Sequence, residues 1–278
     1  MKGIYTQIPI VESVKFSLKY LKNPWAIIPI FLDRPTRVDI KWSNDGGIVL
    51  KGKSDFWRLR DITRSGWEIL NTKNGIIYLK NKEIVIAAHI HQISVVNEPL
   101  EKYYRIFDFS HKTVLDIGGY IGYSAILFSR WGAKKVIIYE AQRENIPMIK
   151  KNMRLNKVNG EVHNLAIADK DGYIELSYDE LGTTSFGLGG NKKYKIRAIS
   201  ISRVLSSNID IAKFDCEGCE YSLLSVPCEI LRNVPRYVIE YHRGFESLKN
   251  KFEECGFKVQ KLWKIKEQIG GFKAEVMG

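Results

Sequence analysis

The sequence predicts an α/β fold: a mostly parallel, helix-covered sheet over residues 105–278, ending in an antiparallel strand, behind a small mixed α+β region over 1–104. Three observations predict it. Residues 114–140 read VLDIGGYIGYSAILFSRWGAKKVIIYE, which is a buried strand, a glycine turn, a helix and a second apolar strand closing on an acid. From Thr113 onward, short apolar runs alternate with helical patterns, as parallel crossovers require. The chain then closes on two runs, Phe257–Ile265 and Gly271–Val276, whose separation suits a hairpin and so reverses the last strand.

The N-terminal region reads as follows. Residues 9–22 set Val11, Val14, Phe16, Leu18 and Leu21 among charges, a partly helical period stopped by Asn23-Pro24. Trp25–Leu32 is apolar but contains Pro29 and is far too short to span a bilayer. Alternating runs follow at Arg37–Trp42, Gly47–Leu50, Ile76–Leu79 and Glu83–Ile86, parted by turn signals at Asn44-Asp45-Gly46-Gly47 and Asn74-Gly75. Residues 9–32 are expected to pack on the core or to touch a membrane surface peripherally. The region as a whole is expected to serve the substrate side.

In the second region, Asn145 caps a helix carrying Ile146, Ile149 and Met153, and a third strand spans Gly160–Ala168. Tyr173–Tyr178 and Tyr194–Ile199 read as extra strands around the glycine-rich loop 181–190, whose composition suits a lid. Ile211–Phe214 and Arg236–Tyr241 are the next core strands, ending in DCEGCE (215–220) and EYH (240–242). Glu246–Cys255 is helical.

The glycine turn discriminates between cofactors. A dinucleotide fingerprint needs G-x-G-x-x-G, and Tyr120 breaks it. The pattern present is D-x-G-x-x-x-G, with Asp116 ahead of the turn. A carboxylate there repels a pyrophosphate and suits the ammonium of a methionine moiety, while Glu140 can accept bonds from two ribose hydroxyls. S-adenosylmethionine fits better than NAD. The cofactor set on this reading is Asp116, Gly118, Gly119, Tyr120, Gly122, Ser124, Glu140, Ala141, Leu165, Ala166 and Asp215.

The strings VLDIGGYIG, VIIYEA, AKFDCEGCEYSLL and YVIEYH together resemble the FkbM-type methyltransferases, over roughly residues 95–260. The most specific part is K-x-D-x-E-G-x-E at 213–220. The resemblance implies a class I, Rossmann-like, S-adenosylmethionine-dependent O-methyltransferase. Family members act on hydroxyls of sugars and natural products.

Asp116, Glu140, Asp215, Glu217, Glu240 and His242 all fall at strand ends, where open α/β sheets bind ligands. Asp215, Glu217 and His242 are the candidate catalytic set. His242 is the favoured proton acceptor, oriented by Asp215 or Glu217, because an imidazole titrates near neutrality. Glu220 is expected to support the following helix. No metal site is expected: Cys216 and Cys219 lack a second ligand pair, Cys228 and Cys255 could join them only by accident of fold, and His89 and His91 lack a third ligand; nor do the four cysteines suggest a disulfide framework at this length.

The net charge of +12 suits anionic partners, yet the lysines are scattered. A glycan or small-molecule acceptor is therefore favoured over nucleic acid, and a non-catalytic cofactor-binding protein is the third alternative. Charges interrupt residues 1–20, so no signal peptide is read and a cytoplasmic location is expected.

Overall fold

The computed structural model describes residues 10–43, 47–178, 184–185 and 192–277. The chain forms two compact units, Met1–Glu98 and Pro99–Gly278.

In the second unit, seven strands among the described residues share one sheet. From one edge they run Gly160–His163, Lys135–Tyr139, Thr113–Ile117, Ile211–Phe214, Arg236–Tyr241, Ile269–Val276 and Phe257–Lys266. The first five are parallel. Ile269–Val276 inserts antiparallel to both of its neighbours, as the closing hairpin predicts. This is the class I methyltransferase-type sheet. The two central strands are fully or nearly fully buried, since helices cover both faces. Phe214, Tyr237, Phe252, Phe257 and Phe272 fill one side of the core. The Tyr237 hydroxyl is satisfied there by donating to the Leu231 carbonyl at 2.7 Å.

The chain leaves Thr113–Ile117 toward one edge, then returns to lay Ile211–Phe214 on its other side. That reversal opens a crevice beyond the carboxyl ends of these strands. In register, Ile117 lies opposite Tyr139 on one side and Phe214 on the other, and Phe214 opposite Ile239. Gly118, Glu140, Asp215 and Glu240 follow on that same edge.

Several expectations are corrected. The third strand is two: Gly160–His163 stays in the large sheet, while Ala166–Ala168 joins a separate sheet beside Lys192–Ser200. Asn164 causes the break, since its side-chain amide donates to the carbonyls of Glu140 and Ala141. Gly172–Tyr178 and Lys192–Ser200 are the expected extra strands, antiparallel to one another. The proposed lid, 181–190, lies outside the described residues apart from Thr184–Ser185, which pairs with Ser177 and Tyr178.

All four cysteines are paired, Cys216 with Cys219 and Cys228 with Cys255. The second bond joins the start of the short helix Cys228–Leu231 to the residue after the helix Glu246–Glu254, a proximity that only the tertiary fold creates.

In the first unit, Glu68–Lys73, Ile76–Asn81 and Ile84–His89 form an antiparallel sheet. Asn74 and Gly75 both take positive φ, the type I′ geometry that Asn-Gly favours. The helix Lys53–Arg64 was not anticipated, because its buried face carries Asp55 and Arg60 beside Phe56, Leu59 and Ile62. The helix Ile10–Tyr20 packs unusually: Phe16 faces inward with Ser13 and Ser17, while Ile10, Val11 and Leu18 are exposed.

Candidate active site

The site begins at the glycine turn. Gly118 and Gly122 take φ near +81° and +84°, and Tyr120 itself is left-handed at +47°. A side chain at Gly118 would put Cβ 1.9 Å from the Asp215 carbonyl oxygen, so glycine lets the two central strands meet. At Gly119, Cβ would stand 2.3 Å from Ile138 Cγ2.

Beneath the turn lies Lys213, 2% exposed in an otherwise apolar strand. Its Nζ donates to the Gly118 carbonyl at 2.9 Å and the Ile117 carbonyl at 3.3 Å. It stands 3.0 Å from Asp116 Oδ1 and 3.8 Å from Asp215 Oδ2. Burial pulls the ammonium down, but Asp116 and Asp215 outweigh it and hold its pKa above the ordinary value. The Ser124 hydroxyl donates to the other Asp116 oxygen at 2.6 Å. Asp116 is thus wholly buried and paired within the protein. It shapes the turn from below.

Glu140 closes the neighbouring strand. Its carboxylate accepts from the Tyr120 N–H and the Gln142 N–H, each at 2.8 Å. The Asn145 side-chain amide also donates to Oε1 at 3.4 Å, so Oε2 is the oxygen that keeps a lone pair for a further donor. Burial raises its pKa to about 7, against the opposing effect of those two hydrogen bonds. Ala141 adjoins it, with its carbonyl accepting from the Tyr194 hydroxyl at 3.1 Å. Leu165 is half-buried between the two short strands, and Ala166 is core, packed with Leu176, Ile196 and Ala198.

Across the sheet, Asp215 accepts a hydrogen bond from the Tyr104 hydroxyl at 2.9 Å. Glu217 has φ of +58° and is followed by Gly218 at +121°, a tight turn bracketed by the Cys216–Cys219 disulfide. Its side chain is 41% exposed, and burial, with Asp215 and Glu220 nearby, raises its pKa above the carboxylate norm.

Glu220 is fully buried and accepts from the Gly218 N–H at 2.9 Å and the His242 N–H at 3.0 Å. It also sits 3.0 Å from His242 Nδ1. Glu220, rather than Asp215 or Glu217, therefore orients the imidazole. Nε2 points the other way, toward Glu217 Oε2 and Glu240 Oε1 at 3.6 Å and Asp215 Oδ1 at 4.0 Å. Burial lowers the His242 pKa, but the Glu220 bond and the surrounding carboxylates raise it to about 9. A ring that keeps its proton at neutral pH is a poor base, which weakens the expectation of His242 as proton acceptor.

Lys213, Tyr104 and Glu220 are the site residues that pattern reading missed. For Lys213 a signal existed: a lone lysine inside the buried run IAKF demands buried partners.

A family profile described as "Methyltransferase FkbM domain" matches residues 116–259. No curated protein matches the chain. Solved structures with similar folds include a ribosomal protein L11 methylase from Lactobacillus delbrueckii subsp. bulgaricus, at 13% identity and TM-score 0.42, covering 76% of this chain and 86% of that one. Another is a SAM-dependent methyltransferase from Agrobacterium tumefaciens, at 13% identity and TM-score 0.44, covering 74% and 72%. A third is M. jannaschii TYW2 in complex with AdoMet, at 15% identity and TM-score 0.40, covering 76% and 90%.

Proposed function

The chain belongs to the FkbM methyltransferase family and is an S-adenosylmethionine-dependent methyltransferase; from that premise we propose that its acceptor is a hydroxyl of a glycan, glycolipid or small metabolite. The observation that carries this reading is the convergence of Asp215, Glu217, Glu240 and His242 on one edge beside the glycine turn. An unactivated hydroxyl needs a group to take its proton, and such a cluster supplies one.

In this reading the ribose hydroxyls lie on Glu140, and the glycine turn receives the methionine part of the cofactor. The acceptor O–H gives its proton to Glu217, the partly exposed carboxylate of the cluster. The oxygen forms its bond to the methyl carbon as the C–S bond breaks, and S-adenosylhomocysteine leaves as a neutral thioether. The sulfonium is already activated, so alignment and proton removal are what the protein adds.

Recruitment of the acceptor is assigned to the N-terminal region. Ile10, Val11, Leu18, Trp25, Ile28 and Leu32 are each more than half exposed there. Lys15 and Lys19 lie on the same helix as the first three. Aliphatic groups, an exposed tryptophan and flanking lysines suit an anionic lipid surface, which favours a glycolipid acceptor. Among the described residues, no helix is long and apolar enough to cross a membrane.

The net charge of +12 supports one competing reading, an RNA acceptor. Incubation with methyl-labelled S-adenosylmethionine and fractionated cell extract separates the two. Label in a lipid or glycan fraction is expected. Label confined to RNA, or to protein, defeats the proposal.

A further inference from the structure

We propose that Asp215, Glu240 and His242 hold a divalent cation at the edge of the sheet. This rests on the methyltransferase reading of the same crevice and adds a Lewis acid to it. One ligand atom from each lies within 4.8 Å of the other two. Asp215 follows the end of one parallel strand, Glu240 is the penultimate residue of the adjacent strand, and His242 follows that strand's end.

The spacing argues for an ion between these groups. Hydrogen-bonded N and O atoms stand about 2.7–3.2 Å apart. His242 Nε2 stands 3.6 Å from Glu240 and 4.0 Å from Asp215. Those gaps are too long for direct bonds, yet two ligands each about 2.1 Å from a shared cation are separated by about 3–4 Å.

The imidazole supplies the second, independent observation. Its side chain is 7% exposed and Nε2 points into the carboxylates, so an ion bound there takes the place of the proton that this nitrogen otherwise carries. The buried Glu220 holds Nδ1 at 3.0 Å and so fixes which nitrogen faces the site. A carboxylate behind a histidine whose other nitrogen is aimed at acids is the arrangement that supports metal-bound imidazoles.

Charge points the same way. Asp215, Glu217, Glu220 and Glu240 gather about His242 on this edge, with the Lys213 ammonium behind Asp215. In a chain of net charge +12, that is a local inversion of sign. The cofactor brings a sulfonium and an ammonium against one carboxylate, and so neutralises part of the excess.

The ligand set is oxygen-rich, and Cys216 and Cys219 are tied in a disulfide and offer no thiolate. Magnesium or manganese(II) is therefore the class expected. Asp215 keeps 30% of its side chain exposed, so the ion would have open positions for acceptor oxygens. A hydroxyl bound there becomes more acidic and passes its proton to Glu217 more readily.

Manganese(II) binding to the full-length protein, followed by electron paramagnetic resonance, tests the site. The expected result is one ion per chain, displaced by magnesium. Glu240→Gln and Asp215→Asn should each weaken it about tenfold or more, with far-ultraviolet circular dichroism serving as the check on folding. No stoichiometric uptake, or uptake unchanged in both variants, overturns the cation site. Absence of S-adenosylhomocysteine binding to the intact protein would instead overturn the methyltransferase reading, whatever manganese does.

Discussion

The ammonium of Lys213 lies 3.0 Å from Asp116 Oδ1, both residues being almost wholly excluded from water. The same ammonium caps the carbonyls of Ile117 and Gly118, so one buried pair ties the fourth parallel strand to the glycine turn. Removing one member strands the other charge. Lys213→Ala should therefore cost about 3–5 kcal/mol of folding stability, measured by urea unfolding. A double change, Lys213→Met with Asp116→Leu, should cost clearly less than Lys213→Ala, because it leaves no uncompensated charge. Equal losses in the two proteins would show that the pair is not what matters.

Gly118 is the point at which two strands can approach. Gly118→Ala places Cβ 1.9 Å from a backbone oxygen of Asp215 at a φ of +81°, so the strands must part. Cofactor affinity by calorimetry should fall below detection while far-ultraviolet circular dichroism stays near wild type. Gly66, also at positive φ but with nothing within 4 Å, is the control: alanine there should cost only about 1 kcal/mol from backbone conformation alone.

Glu140 makes cofactor binding sensitive to pH. Its carboxyl, raised by burial to about 7, must be ionised to accept bonds from two ribose hydroxyls. S-adenosylhomocysteine affinity should drop as pH falls through about 7, approaching tenfold per unit below it. Stability runs the opposite way. Between the ordinary carboxyl value and about 7 the folded chain holds a proton that the unfolded chain has released, so stability falls as pH rises across that window. Glu140→Gln should weaken binding by about 1–3 kcal/mol and flatten its pH dependence. A slope unchanged in that variant would assign the titration elsewhere.

Cys228 and Cys255 close a loop with a sequence separation of 27. Chain-entropy reasoning gives such a crosslink about 3–4 kcal/mol. The double change to serine should lower stability by that order in non-reducing buffer, and adding a thiol reductant to wild type should reproduce the loss. Disulfides persist mainly in oxidising compartments, so a strong reductant effect would also count against the expected cytoplasmic location.

What could be read from the sequence was whatever lies within one element or one turn. The Asn74-Gly75 hairpin, the glycine turn with Glu140 twenty-odd residues on, and the closing hairpin all declare themselves by local spacing. Partners that meet only in the fold did not. Lys213, the counter-charge of Asp116, sits on a strand placed beside it by the crossover. Glu220 looked like a helix residue because nothing local links it to His242. The helix Lys53–Arg64 was hidden by burying Asp55 and Arg60, whose charges mask an apolar period. The disulfides were missed for the same reason as the ion pair.

Glu217 is the proton acceptor that this arrangement favours. Its left-handed backbone, at φ +58° ahead of Gly218, is held between the disulfide-linked Cys216 and Cys219, and its side chain remains 41% exposed where an acceptor can reach it. His242, locked to Glu220 through Nδ1, is a positioning group on this view. Glu217→Gln keeps the size of the side chain and removes the base. Turnover should fall about 100-fold or more, the usual range for losing a general base, while S-adenosylhomocysteine affinity and manganese uptake hold steady. Glu217→Asp should recover part of the rate, since the carboxylate returns one methylene short. If Glu217→Gln turns over normally, the acceptor proton leaves by another group of the cluster, and Asp215→Asn becomes the variant that must fail.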